Sequence, residues 1–460
     1  MKRGRVKAAI VALAVLARVA AIVVLDSPST PRSTYEHGEI AAHLVRGEGF
    51  SIRFLGAEGP TSQQAPVYPV LVAFWYAVAG IDTTQALWGL QLTQALLGGL
   101  LALGTWRLTE ELVARMPEPI RNCVGMRRAP ALAALGAALH PPLVYSATHV
   151  QVAGLAATLL VWALVGSGRV GRTGSDRDAA GCGLMWGILA LTDPILVLGG
   201  LGGLLLIGSG GRDWRSVARS ALITGLTAAL TLAPWTARNY YVHGEWVFVK
   251  TTFGYAFWQG NCRFSQGTDK VARPEVETVL NADSSAEVSE REHSGLASLH
   301  RRLFEARHVA GYIDDIALTR AEIDQLGQCP EPERGRRLFA RALEDLHAQP
   351  GRYLTLCIQR ASFFFLFDET NPKTRTLFYR IPHLGLTTAA LAGLVLARPT
   401  ARGRLAPLVL VILVVALFHV LTITSVRFHL PLDPLFAIVA ALGVMSLDER
   451  SSSRLCSICH

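Results

Sequence analysis

The sequence predicts an all-α membrane protein with about ten transmembrane helices, an amphipathic first outer loop and a mostly helical extracytoplasmic domain. Three observations support this class. Of the 460 residues, 51% are hydrophobic and only 17% are charged, whereas ordinary globular domains are about 25% charged. Apolar runs of about 17–25 residues, long enough to cross a bilayer as helices, recur along the chain. The basic residues, which give a net charge of +9, concentrate in short loops between those runs.

Ten apolar runs are predicted to cross the membrane. Proline breaks helical hydrogen bonding, so Asp193-Pro194 should mark a tight hairpin between the fifth and sixth runs. Arg18 interrupts the first run, which favours a retained span over a cleaved signal peptide. The runs are 8–25, 85–106, 129–145, 148–166, 179–193, 194–208, 217–236, 377–397, 405–424 and 430–447.

The orientation follows from the distribution of Lys and Arg. With ten spans, five clusters of basic residues fall on one side, whereas the opposite loop 140–149 has no Lys or Arg. Because cytoplasmic loops carry the excess of Lys and Arg, we expect a multi-pass protein of the plasma or inner membrane with both termini cytoplasmic. The clusters begin at Lys2, Arg107, Arg169, Arg212 and Arg398.

This topology divides the chain into four parts. Residues 1–236 form an N-terminal transmembrane module whose first outer loop is 26–84. Residues 237–376 are mixed in charge and too long for a simple connection, so we expect an extracytoplasmic domain there. Residues 377–447 contain the last transmembrane helices, and 448–460 form a cytoplasmic tail.

Carboxylates next to membrane spans are usually functional, and two of those in the first outer loop have the strongest sequence context. Glu36 and Glu39 lie on a predicted short amphipathic helix that ends near Gly47 and Gly49. Glu36 begins this helix close to the membrane. The alternative is a solvated carboxylate that is favoured there by the helix dipole.

Two arginines are candidates for binding a lipid phosphate, because a guanidinium can form two parallel hydrogen bonds with it. Arg238 follows span seven among aromatic residues, where it could also be a snorkelling side chain in an aromatic belt. Arg427 is the only basic residue in the outer turn before span ten. That exception to the charge bias favours a functional role.

The motifs of soluble enzymes are missing from the sequence. It contains no Walker loop, HExxH or GxSxG, and no GxGxxG that follows a predicted strand. A cytosolic nucleotide is therefore disfavoured as donor, and a lipid-borne donor fits better. We expect no nucleic-acid partner. Cys262 and Cys329 could pair in an oxidising compartment, whereas Cys456 and Cys459 lack a second pair of metal ligands and are interpreted as free thiols.

At these residues the chain resembles the GT-C superfamily of polytopic membrane glycosyltransferases, of the protein O-mannosyltransferase and aminoarabinose-transferase type. The resemblance covers 30–262 well and 350–447 loosely. The matching segments occur in the family's order: an acidic residue before IAAHLVRGEGFS, then GPTSQQAPVYPVLVAFWYAVAG, ALHPPLVYSATHV, GILALTDPILVL, APWTARNYYVHGEWVFVKTTFGYAFWQGN and VRFHLPLDPLFAIVAALGV.

The resemblance implies an inverting transfer of a hexose or pentose from a polyprenyl-phosphate donor to an acceptor hydroxyl on the extracytoplasmic face. By position Glu36 matches the general base, and Arg238 and Arg427 match residues that hold the donor phosphate. Glu39 and Asp193 are candidates for a second acid, although Asp193 stands where many relatives have Arg. Relatives often have Glu after the Tyr-Ser pair, where this chain has 148–151, THVQ.

That departure puts a metal-supporting acid in doubt. We expect no obligatory metal or other cofactor, and dependence on a divalent metal stays open. The expected partners are the lipid donor, membrane lipids and an acceptor, which the sequence leaves open among protein, lipid and polysaccharide. The alternative function is a transporter or flippase for a lipid-linked glycan. Transporters commonly show internal repeats, and no repeat relates the two halves of this chain.

Overall fold

The computed structural model describes residues 2–30, 33–122, 124–271, 311–397 and 399–445. Each of the ten predicted apolar runs corresponds to a helix in these ranges. The helices are α1 (Lys2–Val24), α4 (Thr84–Ala114), α6 (Val124–Leu139), α8 (Ala153–Thr173), α9 (Asp176–Ala190), α10 (Gly200–Gly208), α11 (Trp214–His243), α17 (Leu377–Leu396), α18 (Pro399–Leu421) and α19 (Asp433–Met445).

Five of these helices are long and apolar enough to cross a membrane: α1, α4, α8, α11 and α18. The others are shorter or less apolar, so the count of ten spans stays a prediction. Prolines explain two of the differences. The run 129–145 divides at His140 into α6 and the short α7 (Pro141–Ser146), and 194–208 begins as a 3₁₀ helix (Pro194–Gly199) before α10.

The membrane part has a continuous apolar core, to which α4, α6, α8 and α19 contribute. Leu108, Leu160 and Leu435 are completely buried in it. Small residues let the last helices approach closely, since a Cβ on Gly443 would lie 2.1 Å from the Cα of Gly393. Helix pairs in membranes commonly use small residues in this way.

The first outer loop contains the predicted amphipathic helix, α2 (Tyr35–Val45), and the apolar helix α3 (Val67–Ala79). The expectation of an all-α protein is wrong in one detail. Strands β1 (Ser51–Phe54) and β2 (Ala57–Pro60) form an antiparallel hairpin between these helices. Leu55 and Gly56 at its tip have φ of 46° and 81°, as tight two-residue hairpin turns require.

The described parts of 237–376 form a helical layer beside this loop. It consists of α12 (Phe253–Asn261), α13 (Ile313–Ala317), α14 (Arg320–Gly327), α15 (Glu331–Ala348) and α16 (Pro350–Phe365), followed by a 3₁₀ turn (Pro372–Arg375). The helical spacing of 297–326 and 334–347 in the sequence predicts helices there, and the described residues are helical mainly over 313–327 and 331–348. Residues 297–310 lie outside the described ranges. One further short helix, α5 (Glu118–Arg121), lies between α4 and α6 in the sequence.

Cys262 and Cys329 of this layer are not joined by a disulfide bond. Cys262 is buried and Cys329 partly exposed, and both are free thiols. The pairing that the sequence left open is therefore absent from this structure. Cys456 and Cys459 fall outside the described residues.

Buried polar contacts fasten the helical layer to the first outer loop. The Glu331 carboxylate accepts hydrogen bonds from the Thr61 hydroxyl (2.5 Å) and the Ser62 backbone N–H (2.8 Å). The Arg334 guanidinium donates to the Phe54 carbonyl at 2.8 Å. These contacts fix the layer against the loop that carries Glu36.

Arg360 fastens the same layer to the end of α18. Its guanidinium is completely buried and donates to the carbonyls of Val420 (2.6 Å), Gly260 (2.9 Å) and Thr422 (3.0 Å). A buried guanidinium needs such partners to offset its desolvation. The turn that bears Arg427 therefore starts from a fixed point.

Candidate active site

Glu36 is held in the first turn of α2 by an unusual backbone. Tyr35, the residue before it, has φ of 52°, a left-handed conformation that costs a residue with a side chain about 1–3 kcal/mol. Gly38 permits the tight first turn, because a Cβ there would lie 2.1 Å from the Thr34 Oγ1. Strain of this kind occurs most often at functional sites.

Five charged side chains from distant parts of the chain meet around Glu36, and we call them the outer charge cluster. Glu36 and Asp193 each interact electrostatically with Arg427 and with Lys250. Asp269 interacts with Arg427. Asp269 is buried, and the other four side chains are partly exposed.

Backbone pairing brings Asp269 to Arg427. Thr268 forms a parallel β-bridge with Thr424, and the Thr424 N–H donates to the Gly267 carbonyl at 3.1 Å. The turn after α18 is thereby joined to the segment that follows α12. Arg427 then lies with its guanidinium 5.5 Å from the centre of the Phe428 ring.

Arg427 and Lys250, the two cations of the cluster, differ in the direction in which the protein shifts their pKa values. Burial opposes the charge of Arg427, but Asp269, Tyr312 and Glu36 together outweigh it and raise its pKa. Burial lowers the pKa of Lys250, and only part of this effect is offset by the Asp193 carboxylate. Arg427 is therefore the permanent charge, whereas the charge of Lys250 is sensitive to its surroundings.

Aromatic and imidazole groups complete the wall of the site. Burial lowers the pKa of His37 to about 3, so its ring is neutral and packs edge-on against Tyr68 at 4.9 Å. Burial also raises the pKa of Tyr35 and, more strongly, that of Tyr312. The two tyrosines therefore keep their protons near neutral pH and His37 is a weak base, which leaves the carboxylates as the bases of the site.

Asp193 both caps a turn and faces the cluster. Its Oδ1 accepts a weak hydrogen bond from the Ile195 N–H at 3.3 Å, at the start of the 3₁₀ helix. The same side chain is the carboxylate that interacts most strongly with Lys250. The predicted break at Asp193-Pro194 is present, since α9 ends at Ala190 and the next helix begins at Pro194, while the hairpin between two spans stays a prediction.

Glu39 has a different environment from Glu36. It is buried, and its Oε1 accepts a hydrogen bond from the Arg53 N–H at 2.8 Å. This bond ties α2 to strand β1. The structure therefore gives Glu39 a bracing contact and leaves Glu36 as the glutamate of α2 within the cluster.

Arg238 lies outside the cluster, on the other side of the first outer loop. Its guanidinium donates to the carbonyls of Thr61 (2.6 Å) and Phe50 (3.1 Å) and stacks 4.9 Å from the Trp235 ring centre. The donors predicted to hold a phosphate are thus directed at the backbone of the loop. The physical reason is the hairpin, whose carbonyls lie beside α11.

Sequence reasoning missed Lys250 and Asp269. One signal was available, because the chain has only five lysines, and Lys250, Lys270 and Lys373 all fall on the predicted outer side. Lysines there oppose the charge bias that set the topology. Lys250 also donates to Gln64 Oε1 at 3.1 Å, in the first outer loop.

Within the described ranges, His140, His383 and Asp433 are the three side chains whose ligand atoms lie close enough together to hold a metal ion. They belong to other helices and are considered separately below.

The chain is similar to solved glycosyltransferase structures. An oligosaccharyltransferase from Archaeoglobus fulgidus, solved as a complex with zinc and sulfate, has 14% sequence identity and a TM-score of 0.50, covering 97% of this chain and 50% of that chain. This chain thus spans about half the length of that protein. ArnT from Cupriavidus metallidurans bound to undecaprenyl phosphate has 16% identity and a TM-score of 0.39, covering 95% and 78%.

The apo form of that ArnT has 17% identity and a TM-score of 0.32, covering 94% of this chain and 76% of that chain. No protein-family model matches the sequence, and no curated protein matches it. At this level of identity the likeness concerns the fold. The expected resemblance is confirmed as a likeness of fold to the oligosaccharyltransferase.

Proposed function

We propose that this protein is a membrane glycosyltransferase that moves a sugar from a polyprenyl-phosphate donor to an acceptor hydroxyl on the extracytoplasmic face. The observation that carries the proposal is the outer charge cluster, where the Glu36 carboxylate lies within electrostatic range of Arg427 and Lys250. A base and two phosphate-binding cations are the groups that this reaction needs. Lys250 takes the place that the sequence gave to Arg238.

The transfer is a single displacement with inversion. The acceptor oxygen attacks the anomeric carbon while Glu36 removes its proton. The bond between that carbon and the phosphate oxygen breaks, and its electron pair stays on the polyprenyl phosphate. One bond to the anomeric carbon forms as one breaks, so the products are the glycoside and a polyprenyl phosphate with one more negative charge.

The arrangement stabilises this redistribution of charge. A phosphodiester donor carries one negative charge and the leaving monoester carries two, while Glu36 becomes neutral. The total charge of the site is therefore unchanged, but negative charge moves from Glu36 toward Arg427 and Lys250. Fixed cations that face developing charge favour the transition state over the ground state.

Asp193 and Asp269 position the cations in this scheme. Asp269 is the carboxylate that interacts most strongly with Arg427, and Asp193 is the one that interacts most strongly with Lys250. A cation that is already oriented by a carboxylate loses less freedom when the donor binds. We therefore assign both aspartates as positioning residues.

The test uses cells that lack the protein. We expect a polyprenyl-phosphate sugar to accumulate in their lipid extracts by mass spectrometry, and the wild-type gene to remove it. Glu36→Gln should leave it in place, because a positioned base contributes about 10²–10⁴-fold to rate. Glu58→Gln is the matched control, since Glu58 is an exposed carboxylate on strand β2 of the same loop.

Donor binding is measured separately on purified protein by native mass spectrometry with undecaprenyl phosphate. Glu36→Gln should bind it normally. Arg427→Ala should bind about ten- to hundred-fold more weakly, as expected for a lost hydrogen bond to a charged group. Full complementation by Glu36→Gln, with Arg427→Ala binding normally, would overturn the proposal.

A further inference from the structure

A second polar group is buried between the outer ends of three helices. His140 follows α6, His383 lies in α17 and Asp433 begins α19. Their side chains are only 5%, 1% and 1% exposed. One ligand atom from each lies within 4.8 Å of the other two.

Several polar atoms of this group lack hydrogen bonds. They are His140 Nε2, both ring nitrogens of His383, and Asp433 Oδ2. His140 Nε2 lies 3.2 Å from Asp433 Oδ2, but the pair does not have hydrogen-bond geometry. Buried polar groups are nearly always satisfied, so unpaired atoms on three neighbouring side chains, with one atom from each within 4.8 Å of the other two, indicate a missing partner.

The spacing fits a tetrahedral metal ion. Zinc binds imidazole nitrogen and carboxylate oxygen at about 2.0–2.2 Å, and two such ligands at tetrahedral angles lie about 3.3–3.6 Å apart. The His140–Asp433 distance of 3.2 Å is close to that value. The His383 ligand atom lies within 4.8 Å of the other two, so binding an ion requires the group to contract by about 1 Å.

Neighbouring side chains orient the carboxylate. Asp433 Oδ1 is 3.0 Å from His429 Nδ1, and His429 Nε2 is 2.6 Å from the Tyr379 hydroxyl. These contacts occupy Oδ1 and leave Oδ2 directed at His140. Outer hydrogen bonds that fix a ligand in this way are typical of metal sites.

We propose that His140, His383 and Asp433 bind one zinc ion. Two imidazoles and one carboxylate suit zinc, whereas magnesium and calcium prefer oxygen ligands. A water completes the tetrahedron. The ion joins α6, α17 and α19, and through Asp433 it steadies His429, two residues from Arg427.

This site is separate from the outer charge cluster and its role is structural. The test therefore does not depend on knowing the donor sugar. Cys456 and Cys459 could also bind zinc, so the protein is purified with both replaced by Ser. Elemental analysis after purification without chelator should find one zinc per chain.

Two variants locate the ion. His383→Ala should lose it, whereas His419→Ala should keep it, because His419 is a similarly buried histidine in α18 whose ring bonds the Ile423 carbonyl and stacks on Phe428. In case His383→Ala fails to fold, His383→Cys supplies a thiolate ligand. With cobalt in place of zinc, this variant should gain a thiolate-to-cobalt charge-transfer band.

Chelation should lower the melting temperature of the wild type, and zinc should restore it. The proposal is overturned if the wild type binds neither zinc nor cobalt, which would make the group a proton-sharing network. It is also overturned if His383→Ala retains the metal, or if His383→Cys binds cobalt without the new band. None of these results bears on Glu36 or Arg427, so the proposed function is tested independently.

Discussion

Replacement of Arg238 by Ala tests whether this arginine holds the first outer loop in place or binds the donor phosphate. The structure directs its guanidinium at the carbonyls of Thr61 and Phe50 and stacks it on Trp235. Arg238→Ala should therefore release the hairpin of the first outer loop from α11. Binding of polyprenyl phosphate should change only as far as the looser loop disturbs the site.

The size of the effect follows from these contacts. A hydrogen bond to a charged group contributes about 1.5–3 kcal/mol, and the low end applies because Arg238 is half-buried. Two such bonds and a cation–π contact of about 0.5–1 kcal/mol give a local cost of about 3–4 kcal/mol. Each 1.4 kcal/mol is tenfold, so the loop should open roughly a hundred- to thousand-fold more often.

Hydrogen exchange in detergent measures this opening directly, because protection reports local unfolding. Amides of 50–62 should exchange faster in Arg238→Ala, with little change in α4. Arg238→Lys should restore part of the protection, since an ammonium cannot reproduce the planar fork. Arg336→Ala is the control, because Arg336 forms a largely exposed ion pair with Glu245, worth at most about 1 kcal/mol.

The opposite pattern would refute this interpretation. If Arg238→Ala leaves exchange across 50–62 unchanged but weakens binding of undecaprenyl phosphate as much as Arg427→Ala does, the guanidinium is a donor ligand. The contacts with Thr61 and Phe50 would then be exchanged for the phosphate on binding.

Three further outcomes are expected. Burial lowers the pKa of Lys250, so its charge is lost as pH rises through that lowered value. KM for the donor should therefore rise at alkaline pH in the wild type but not in Lys250→Arg. Equal pH profiles of the two proteins would contradict this. A membrane-impermeant maleimide should label Cys329 in intact cells but not Cys262, whose pKa burial raises to about 11; protection of Cys329 until lysis would reverse the predicted topology. Glu39→Ala removes the acceptor of the Arg53 N–H, so the melting temperature of the variant should fall. Its transfer rate per folded molecule should stay within tenfold of the wild-type rate. A loss of transfer as large as that of Glu36→Gln would make Glu39 the base.

The helices were predictable because their signals are local. Long apolar runs, the Asp193-Pro194 break and the short helix that carries Glu36 all depend on neighbours in sequence. The exact ends were less predictable, as α6 shows by stopping at Leu139 where the apolar run continues past two prolines. The hairpin 51–60 was missed because its strands are only four residues long and lack clear alternation.

The site was only partly predictable, since it depends on contacts between distant segments. Glu36 and Arg427 were candidates because a carboxylate close to a membrane span and a single arginine in an outer turn both stand out in the sequence. Nothing near Asp269 indicates that a bridge between Thr268 and Thr424 brings it to Arg427. The contacts of Arg238 were unpredictable for the same reason, because the carbonyls it binds flank a hairpin that the sequence did not reveal.

The buried contacts of Arg360 and Glu331 help to explain how the outer charge cluster holds several carboxylates close together. Three carboxylates near one opening repel one another, and a free chain would separate them. Arg360 fixes the start of the turn that bears Arg427, and Glu331 fixes the loop that follows Glu36. These contacts lie outside the cluster, so they add to the attraction of Arg427 and Lys250 in opposing the repulsion. In the proposed mechanism, the described parts of 237–376 are the scaffold that keeps the base and the cations preorganised, since fixed groups need no rearrangement when charge moves during transfer.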